Sequence, residues 1–332
     1  MVFKEKEFLM HSLFPRAILA PLSGISSLPF RTLNRNAGCK FAFLEMLNAR
    51  SLSYTSKKTL QMMLTNKHDR PLGVQLLGKD AYYISKALEK LKDYSYDILD
   101  FNAACPQKKV TSNGKGAALL KCPKKLQKLL TLIVKEVTVP VTAKLRLGWD
   151  NEKNVVDIAK YAQDAGVKAV CVHGRTRTQG YRSPVNYSAI KKVKAALNIP
   201  VIGSGDIWSA QMAKKMFDET GCDAITVARG ALGNPWIFNE LDKFFATGKV
   251  VSRPTIKEVA QMMKRHLNLC LDFYGEKAGA MQFRKFYIWY TRGFLKTKPL
   301  RVNVSYACNK LEMTGLIEKF VSSQELTQEL TV

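Results

Sequence analysis

Cys105 is the residue on which chemistry could turn, because it stands in the stretch from Asp100 to Val110, between an apolar run and the paired lysines Lys108 and Lys109. A thiol is a nucleophile or a weak acid according to its protonation, and nearby cations bias the choice. Ile98 to Phe101 has the composition of a buried strand, and Pro106, lacking a backbone donor, ends the pairing. Cys105 is thereby placed at the C-terminal mouth of a strand, where α/β barrels hold reactive groups. Asn102 beside it offers an amide that can both donate to and accept from a polar ring. The competing reading is a structural cysteine in a strand-to-helix loop, since free Cys is among the most buried residue types.

Further polar residues recur at the ends of apolar runs. Gln75, in Gly73-Val74-Gln75-Leu76, needs a partner inside a strand, either neighbouring backbone or a ligand edge with donor and acceptor together. Lys144 and Arg146 alternate on one strand face, an arrangement that is costly inside a barrel unless an anion or strong acceptors meet them. His173-Gly174-Arg175-Thr176 ends another run. Gly203-Ser204-Gly205-Asp206 and Ala228-Arg229-Gly230 supply small residues whose backbone amides can approach a phosphate. Pro21, Leu22, Ser23 and Gly24 form a turn that can bring backbone close to a flat ligand, and Glu45-Met46 follows the second run.

Eight repeats of strand, loop and helix between about residues 16 and 245 would position these groups. The strand candidates are Ala17–Ala20, Phe41–Leu44, Leu72–Leu77, Asp97–Phe101, Val141–Leu145, Ala169–Val172, Pro200–Ile202 and Asp223–Val227. Short apolar strands, each followed by a helix, predict a parallel sheet covered on both faces. The economical closure is α/β, a (β/α)8 TIM barrel with a C-terminal all-helical domain. A doubly wound sheet is the alternative, but no Gly-x-Gly-x-x-Gly follows any of the strands. The linker Gly248-Lys249-Val250-Val251-Ser252-Arg253-Pro254 divides a catalytic barrel, 1–248, from a helical domain, 249–332. Thr255 with Glu258 predicts a capping box, followed by a core stripe from Ile256 to Tyr274. Helices are also predicted over about 278–293 and 304–320, with a frayed end from Ser322.

The chain has 332 residues, 46% of them hydrophobic, enough for a full core. No apolar run is long enough to span a membrane and the first residues do not read as a secretory signal, which predicts a cytoplasmic protein. Seven cysteines without Cys-x-x-Cys spacing and four scattered histidines argue against a disulfide framework and against a metal site. Fifty-two Lys plus Arg against 27 Asp plus Glu leave a net charge of +25. Such a balance predicts a polyanionic partner, the alternative being a lysine-rich composition with no partner behind it. Lys277 to Lys310 holds eight basic residues and no acidic one, among seven aromatics.

The run from Asn102 to Val110 resembles the Asn-x-Gly-Cys-Pro-x-Lys-x-Val signature of the tRNA-dihydrouridine synthases, with Ala104 where the family has Gly. The resemblance extends over about 15–310, through Ala20 to Ile25, Lys144-x-Arg146, His173 to Thr176 and Trp289 to Gly293. Its wording is most similar to the bacterial B-type branch. Leu22, Ser204 and Ala228 depart from the family's usual residues. The resemblance implies reduction of the C5–C6 double bond of specific tRNA uridines, with FMN as cofactor and NADPH or NADH as reductant. Hydride would pass from flavin N5 to C6, and Cys105 would protonate C5 as general acid. Asn102, Lys144 and Arg146 would meet the uracil. Pro21, Leu22, Ser23, Gln75, Lys144, His173, Ser204, Gly205, Asp206, Ala228 and Arg229 would hold FMN. Lys108, Lys109, Arg284, Lys285 and Arg292 would bind tRNA, by a protein expected to be a monomer. Two rivals are a dihydroorotate dehydrogenase-like FMN barrel acting on a free pyrimidine and a non-catalytic tRNA-binding protein.

Overall fold

Nine short parallel strands form the sheet of the structure, a computed structural model that describes residues 14–329. They are β1 (Ala17–Leu19), β2 (Ala42–Phe43), β3 (Leu47–Asn48), β4 (Leu72–Leu77), β5 (Ile98–Ala103), β6 (Val141–Arg146), β7 (Ala169–His173), β8 (Val201–Ser204) and β9 (Ala224–Val227). Each neighbour pairs in sequence order from β4 to β9, β9 pairs with β1, β1 with β2, and β2 with β4. The ring of eight therefore closes, which a doubly wound sheet does not do. All eight expected strands are present.

The ninth strand was not foreseen. Ala42 and Phe43 of β2 lie opposite Leu72 and Gly73, whereas Leu47 and Asn48 of β3 lie opposite Leu76 and Leu77 of the same β4. β2 and β3 are thus two pieces of one strand line, broken at Leu44–Met46. The break releases Glu45, whose carboxylate accepts a hydrogen bond from the Gly24 N–H in the loop after β1.

Inside the barrel the side chains change character from one end to the other. Phe14, Ile18, Phe41, Phe43, Ile98, Ala169, Ile202 and Ala224 form an apolar cluster with Cys171. Gly73 makes room in it, since a Cβ there would lie 2.2 Å from the Phe43 ring. Two residues further along the strands, on the same face, come Gln75, Asp100, Ser204 and Thr226, and then Asn102 and His173, all buried. The period of two turns one apolar end into one polar end at the C-terminal strand ends.

The chain divides into two compact units. One runs up to Ser27 and over Cys39–Arg229; the other takes Leu28–Gly38 and the described chain from Gly230 onward. The division differs from the one read at residue 248, and the reason is aromatic packing. Phe30, on the helix Leu28–Asn36, stacks on Phe286 with centroids 5.5 Å apart, and His266 lies 4.2 Å from the same ring. The expected capping box opens the helix Ile256–Tyr274, whose stripe Val259, Met263, His266, Leu267 and Cys270 is buried. The next helix, Glu276–Tyr290, crosses it closely at Gly279, where a Cβ would meet the Cys270 carbonyl oxygen at 2.5 Å.

The last helices differ from expectation. Lys298–Asn303 forms a short helix, and the long one runs over Lys310–Glu329 and not 304–320. Asn309 sets its start by accepting from the Glu312 N–H at 2.9 Å. The segment from Ser322, expected to fray, stays helical because Gln324, one turn beyond the buried Phe320, donates to the Leu295 carbonyl at 2.8 Å. Residues 330–332 of that expectation lie outside the described residues. Among the described residues no helix is long and apolar enough to cross a membrane.

Burial among aromatic rings lowers the pKa of His266 to about 3, with a smaller push from Lys285. The unfolded chain binds that proton near pH 6.5 and the folded one does not, so stability falls as pH drops below about 6.5, by up to ~1.4 kcal/mol per unit. Replacing His266 with Phe should flatten the fall in melting temperature between pH 6.5 and pH 4; an unchanged pH dependence would show that the imidazole is not the group responsible.

Candidate active site

A single chain of hydrogen bonds sets the polar end of the barrel. The Thr142 hydroxyl donates to Asp100 Oδ1 at 2.6 Å, and Asp100 Oδ2 accepts from Gln75 Nε2 at 2.7 Å. Gln75 Oε1 then accepts from Asn102 Nδ2 at 2.8 Å. Asn102 Oδ1 accepts the backbone N–H groups of Ala104 at 3.0 Å and Cys105 at 2.9 Å. The strand register makes this possible, with Asp100 opposite both Gln75 and Thr142. Asp100 accepts on both oxygens, so the amide nitrogen of Gln75 faces it and, through Gln75, the amide nitrogen of Asn102 faces away from the loop. Burial raises the pKa of Asp100, partly offset by the bonds from Thr142 and Gln75 and by Lys144.

Gln75, expected to bond either backbone or a ligand edge, bonds two side chains, and its amide nitrogen and oxygen each keep capacity for one more hydrogen bond. Asn102, expected at the substrate, has its oxygen spent on the turn that presents Cys105. Arg146 likewise ties loops together. Its Nε donates to the Ala104 carbonyl at 2.8 Å, and Nη1 to the carbonyls of Thr176 at 2.9 Å and Gly180 at 3.0 Å. These strong acceptors are what the inward cation needed. Asp100, Thr142 and Arg146 are thus positioning groups for the segments after β5 and β7. A carboxylate alternating with Asn102 in an otherwise apolar strand was the signal for Asp100.

Cys105 is half-buried at the mouth of β5, and burial pushes its thiol pKa up against smaller lowering influences from the Gln107 backbone and Arg146. The thiol is therefore held protonated at neutral pH. Ala117 donates its N–H to the Cys105 carbonyl at 3.1 Å, and Gly116 must be glycine there, since it has φ +58° and a Cβ would lie 2.8 Å from the same oxygen. Ala104 is buried and does not adopt a left-handed backbone, so its methyl group fits in place of the family's glycine.

Across the mouth, Lys144 Nζ lies 3.2 Å from both Cys171 Sγ and Ser204 Oγ. The same Ser204 hydroxyl is 3.3 Å from His173 Nδ1, while His173 Nε2 is buried without a hydrogen-bond partner among the described residues. Burial, then Arg146, Lys144, Arg175 and Arg229, keep the His173 pKa well below its usual value, so the ring is neutral. Asp206, at φ +50°, is clasped by Arg175 and by Arg229 at 2.8 Å. Burial pushes its pKa up, but the two arginines outweigh burial and lower it. Arg175 and Asp206 therefore build the loop between them. No acceptor within the chain is found among the described residues for the backbone N–H groups of Gly205 and Asp206.

Pro21 and Leu22 are half-buried and Ser23 exposed in the loop after β1, held by the Ser26 hydroxyl bonding Leu22 and by Glu45 on Gly24. Ala228 follows β9, with Arg229 beginning a short turn of helix. Tyr181 was missed by the sequence reading. It is 49% exposed, with the guanidinium groups of Arg229 and Arg146 4.7 and 5.3 Å from its ring and His173 edge-on at 6.0 Å. Its place in a loop of mixed composition gave no signal.

The expected tRNA contacts separate by role. Lys108 and Lys109 are exposed on the helix Lys108–Thr111, directly after the cysteine loop. In the second unit Arg292 is exposed beside Trp289. Lys285 is half-buried and donates to Gln282 at 2.6 Å. Arg284 donates to the Ala307 carbonyl at 2.8 Å, and Arg301 to the hydroxyl of Thr291 at 3.1 Å. Within the basic stretch Arg284 and Arg301 thus tie the bundle together through carbonyl and hydroxyl oxygens and not through carboxylates.

A closed ring of eight parallel strands with its polar groups at their C-terminal ends is a TIM barrel. The model of the dihydrouridine synthase family matches residues 18–327, and the chain belongs to that family. It is 37% identical over 298 residues to tRNA-dihydrouridine synthase B of Xanthomonas axonopodis pv. citri, covering 90% of each chain. It is 36% identical to the tRNA-dihydrouridine synthase B of Pasteurella multocida, over 96% of each. Among solved structures, 2-naphthoyl-CoA reductase matches with TM-score 0.56 at 11% identity over 69% of this chain and 50% of that one. Histamine dehydrogenase from Rhizobium sp. 4-9 matches with TM-score 0.53 at 11% identity, over 76% and 49%. These two likenesses concern the fold.

Replacing Asn102 with Ala would leave two backbone donors and the Gln75 carbonyl oxygen without partners, at about 2–4 kcal/mol. The urea midpoint should fall accordingly, and Asn102→Asp should also be destabilised because it cannot donate to Gln75. Unchanged midpoints in both variants would remove the chain of bonds as a determinant of the loop.

Proposed function

We propose that the protein is a tRNA-dihydrouridine synthase of the B type, reducing the C5–C6 double bond of uridines in tRNA with FMN and with NADPH or NADH as reductant. The observation that carries this reading is a half-buried cysteine held by Asn102 at the mouth of the barrel of a dihydrouridine synthase chain. Reduction adds a hydride at C6 and a proton at C5, and FMN supplies the hydride when bound. The residues present fit that cofactor. Among the described residues His173 Nε2 is a buried polar atom without a partner, Lys144 hydrogen-bonds the neutral Cys171 and Ser204 side chains, and the backbone donors of Gly205 and Asp206 are unspent. Lys144 and His173 would meet the ring edge, and the loops at Gly205 and Ala228 the phosphate.

Cys105 donates its Sγ proton to C5 and regains one from solvent. Its raised pKa keeps that proton available across the neutral range, and the alkaline limb of the rate should lie above the ordinary thiol value of about 8.5. Asn102 and Arg146 act by holding the Cys105 turn in register with the pocket, and the exposed Tyr181 ring is suited to contact the extruded base. The barrel carries the chemistry, and the exposed cations of the helical unit, with Lys108 and Lys109, grip the tRNA backbone. The protein works as a monomer in the cytoplasm.

Cys105→Ala should keep bound FMN and NADPH oxidation by oxygen while dihydrouridine formation falls about 100- to 10,000-fold. Normal dihydrouridine formation by that variant, or a folded protein that takes up no FMN on titration, would overturn the reading. For tRNA binding, Arg292, Lys296 and Lys298 are the exposed positions to replace together with Gln. Each lost phosphate contact should flatten the log-log salt dependence of affinity by about 0.7–0.9, and an unaltered slope would place the grip elsewhere.

A further inference from the structure

A second polar surface lies at the same ends of the strands. The helix Ala49–Ser53 follows β3 directly, and the helix Ala81–Leu91 follows β4 through Gly78 to Asp80. This brings Tyr54, Tyr82 and Tyr83 together. The Tyr54 and Tyr83 rings are 6.1 Å apart with their hydroxyls at 3.5 Å, and Tyr82 meets Tyr83 edge to face at 5.3 Å. Tyr54 is 65% and Tyr82 60% exposed, so the rings contribute little to the core.

Cations surround them. The Arg50 guanidinium stands 5.3 Å from the Tyr83 ring centre and the Lys86 ammonium 4.9 Å from that of Tyr82. Lys115 reaches across to Asn48 Oδ1 at 3.3 Å, and its pKa is lowered by burial and then by the charges of Lys79 and Arg50. None of these four cations is ion-paired to a carboxylate among the described residues. Asp80, the nearby carboxylate, caps its helix by accepting the Tyr82 N–H at 3.0 Å. Like charges gathered without counter-charge are relieved by an anion, and exposed ring faces beside them suit flat bases. The patch is continuous with the reactive turn, because Lys115 leads into Gly116 and Ala117, which pack on the Cys105 carbonyl.

We propose that this tyrosine surface is a nucleotide platform, stacking bases of the tRNA strand next to the target uridine while Arg50 and Lys86 meet its phosphates. The inference rests on the tRNA reading and deepens it. A uridine drawn from its stack leaves its neighbours without stacking partners, and the rings at Tyr54 and Tyr82 supply them. A protein partner is the competing occupant, and it predicts no change in tRNA affinity.

The test uses the full-length FMN-loaded enzyme with unmodified transcribed tRNA, measuring dissociation constants across a salt series and kcat/KM for dihydrouridine formation. Tyr54→Ala with Tyr82→Ala should weaken tRNA binding about tenfold or more with an unaltered salt slope, and the Phe pair should restore it. Arg50→Gln with Lys86→Gln should instead flatten the slope by about 0.7 for each phosphate lost. Both pairs are exposed, and flavin content with melting temperature reports that the barrel is intact. Parent-like affinity and slope in both variants, with an active parent, would overturn the platform alone. A parent that neither binds nor modifies tRNA would overturn the functional reading and the platform with it.

Discussion

The buried carboxyl of Asp100, which accepts a hydrogen bond on each oxygen, is the constraint from which the polar end of the barrel follows. Buried between Gln75 and Thr142, it orients one amide, that amide orients a second, and the second holds the two backbone donors that turn the chain at Cys105. No group in the series could be reversed alone, because each reversal would bring two acceptors or two donors together in a buried place. Rigidity at the thiol is in this way inherited from a residue that does not touch it.

The opposite wall works by charge. Lys144, Arg146, Arg175 and Arg229 crowd one side of the mouth, and Asp206 neutralises only part of them. The result is a positive field over a neutral imidazole and a protonated thiol. A pocket of this kind favours electron-rich ring edges and phosphate; burial and the positive field together keep the imidazole neutral, while at the thiol burial outweighs the cations.

Much of the architecture was legible because barrel strands are short apolar runs, and eight of them stand out between helical periods. The two-residue β3 is too short to show a period, so the break that releases Glu45 was invisible. The unusual residue types at strand ends marked the site, but their partners did not, because Gln75 with Asp100 and Thr142 with Asp100 are separated by 25 and 42 positions and meet only through register. Arg284 shows the same limit: in sequence it is one of a run of positive charges, and only the fold brings the Ala307 carbonyl to its guanidinium. Charge density reports a partner; it does not say which cations are already engaged.

The helix Leu28–Asn36 leaves the barrel's sequence after the first strand yet belongs to the unit completed by the C-terminal helices. On the ribosome this helix is made early, and the aromatic partners of Phe30, His266 on Ile256–Tyr274 and Phe286 on Glu276–Tyr290, come 236 and 256 residues later. At typical synthesis rates Phe30 waits roughly 12–50 s for them. The nascent chain thus carries an unsatisfied apolar face through most of its own translation, which makes the order of synthesis, and any chaperone that shields this segment, part of how the protein reaches its native state.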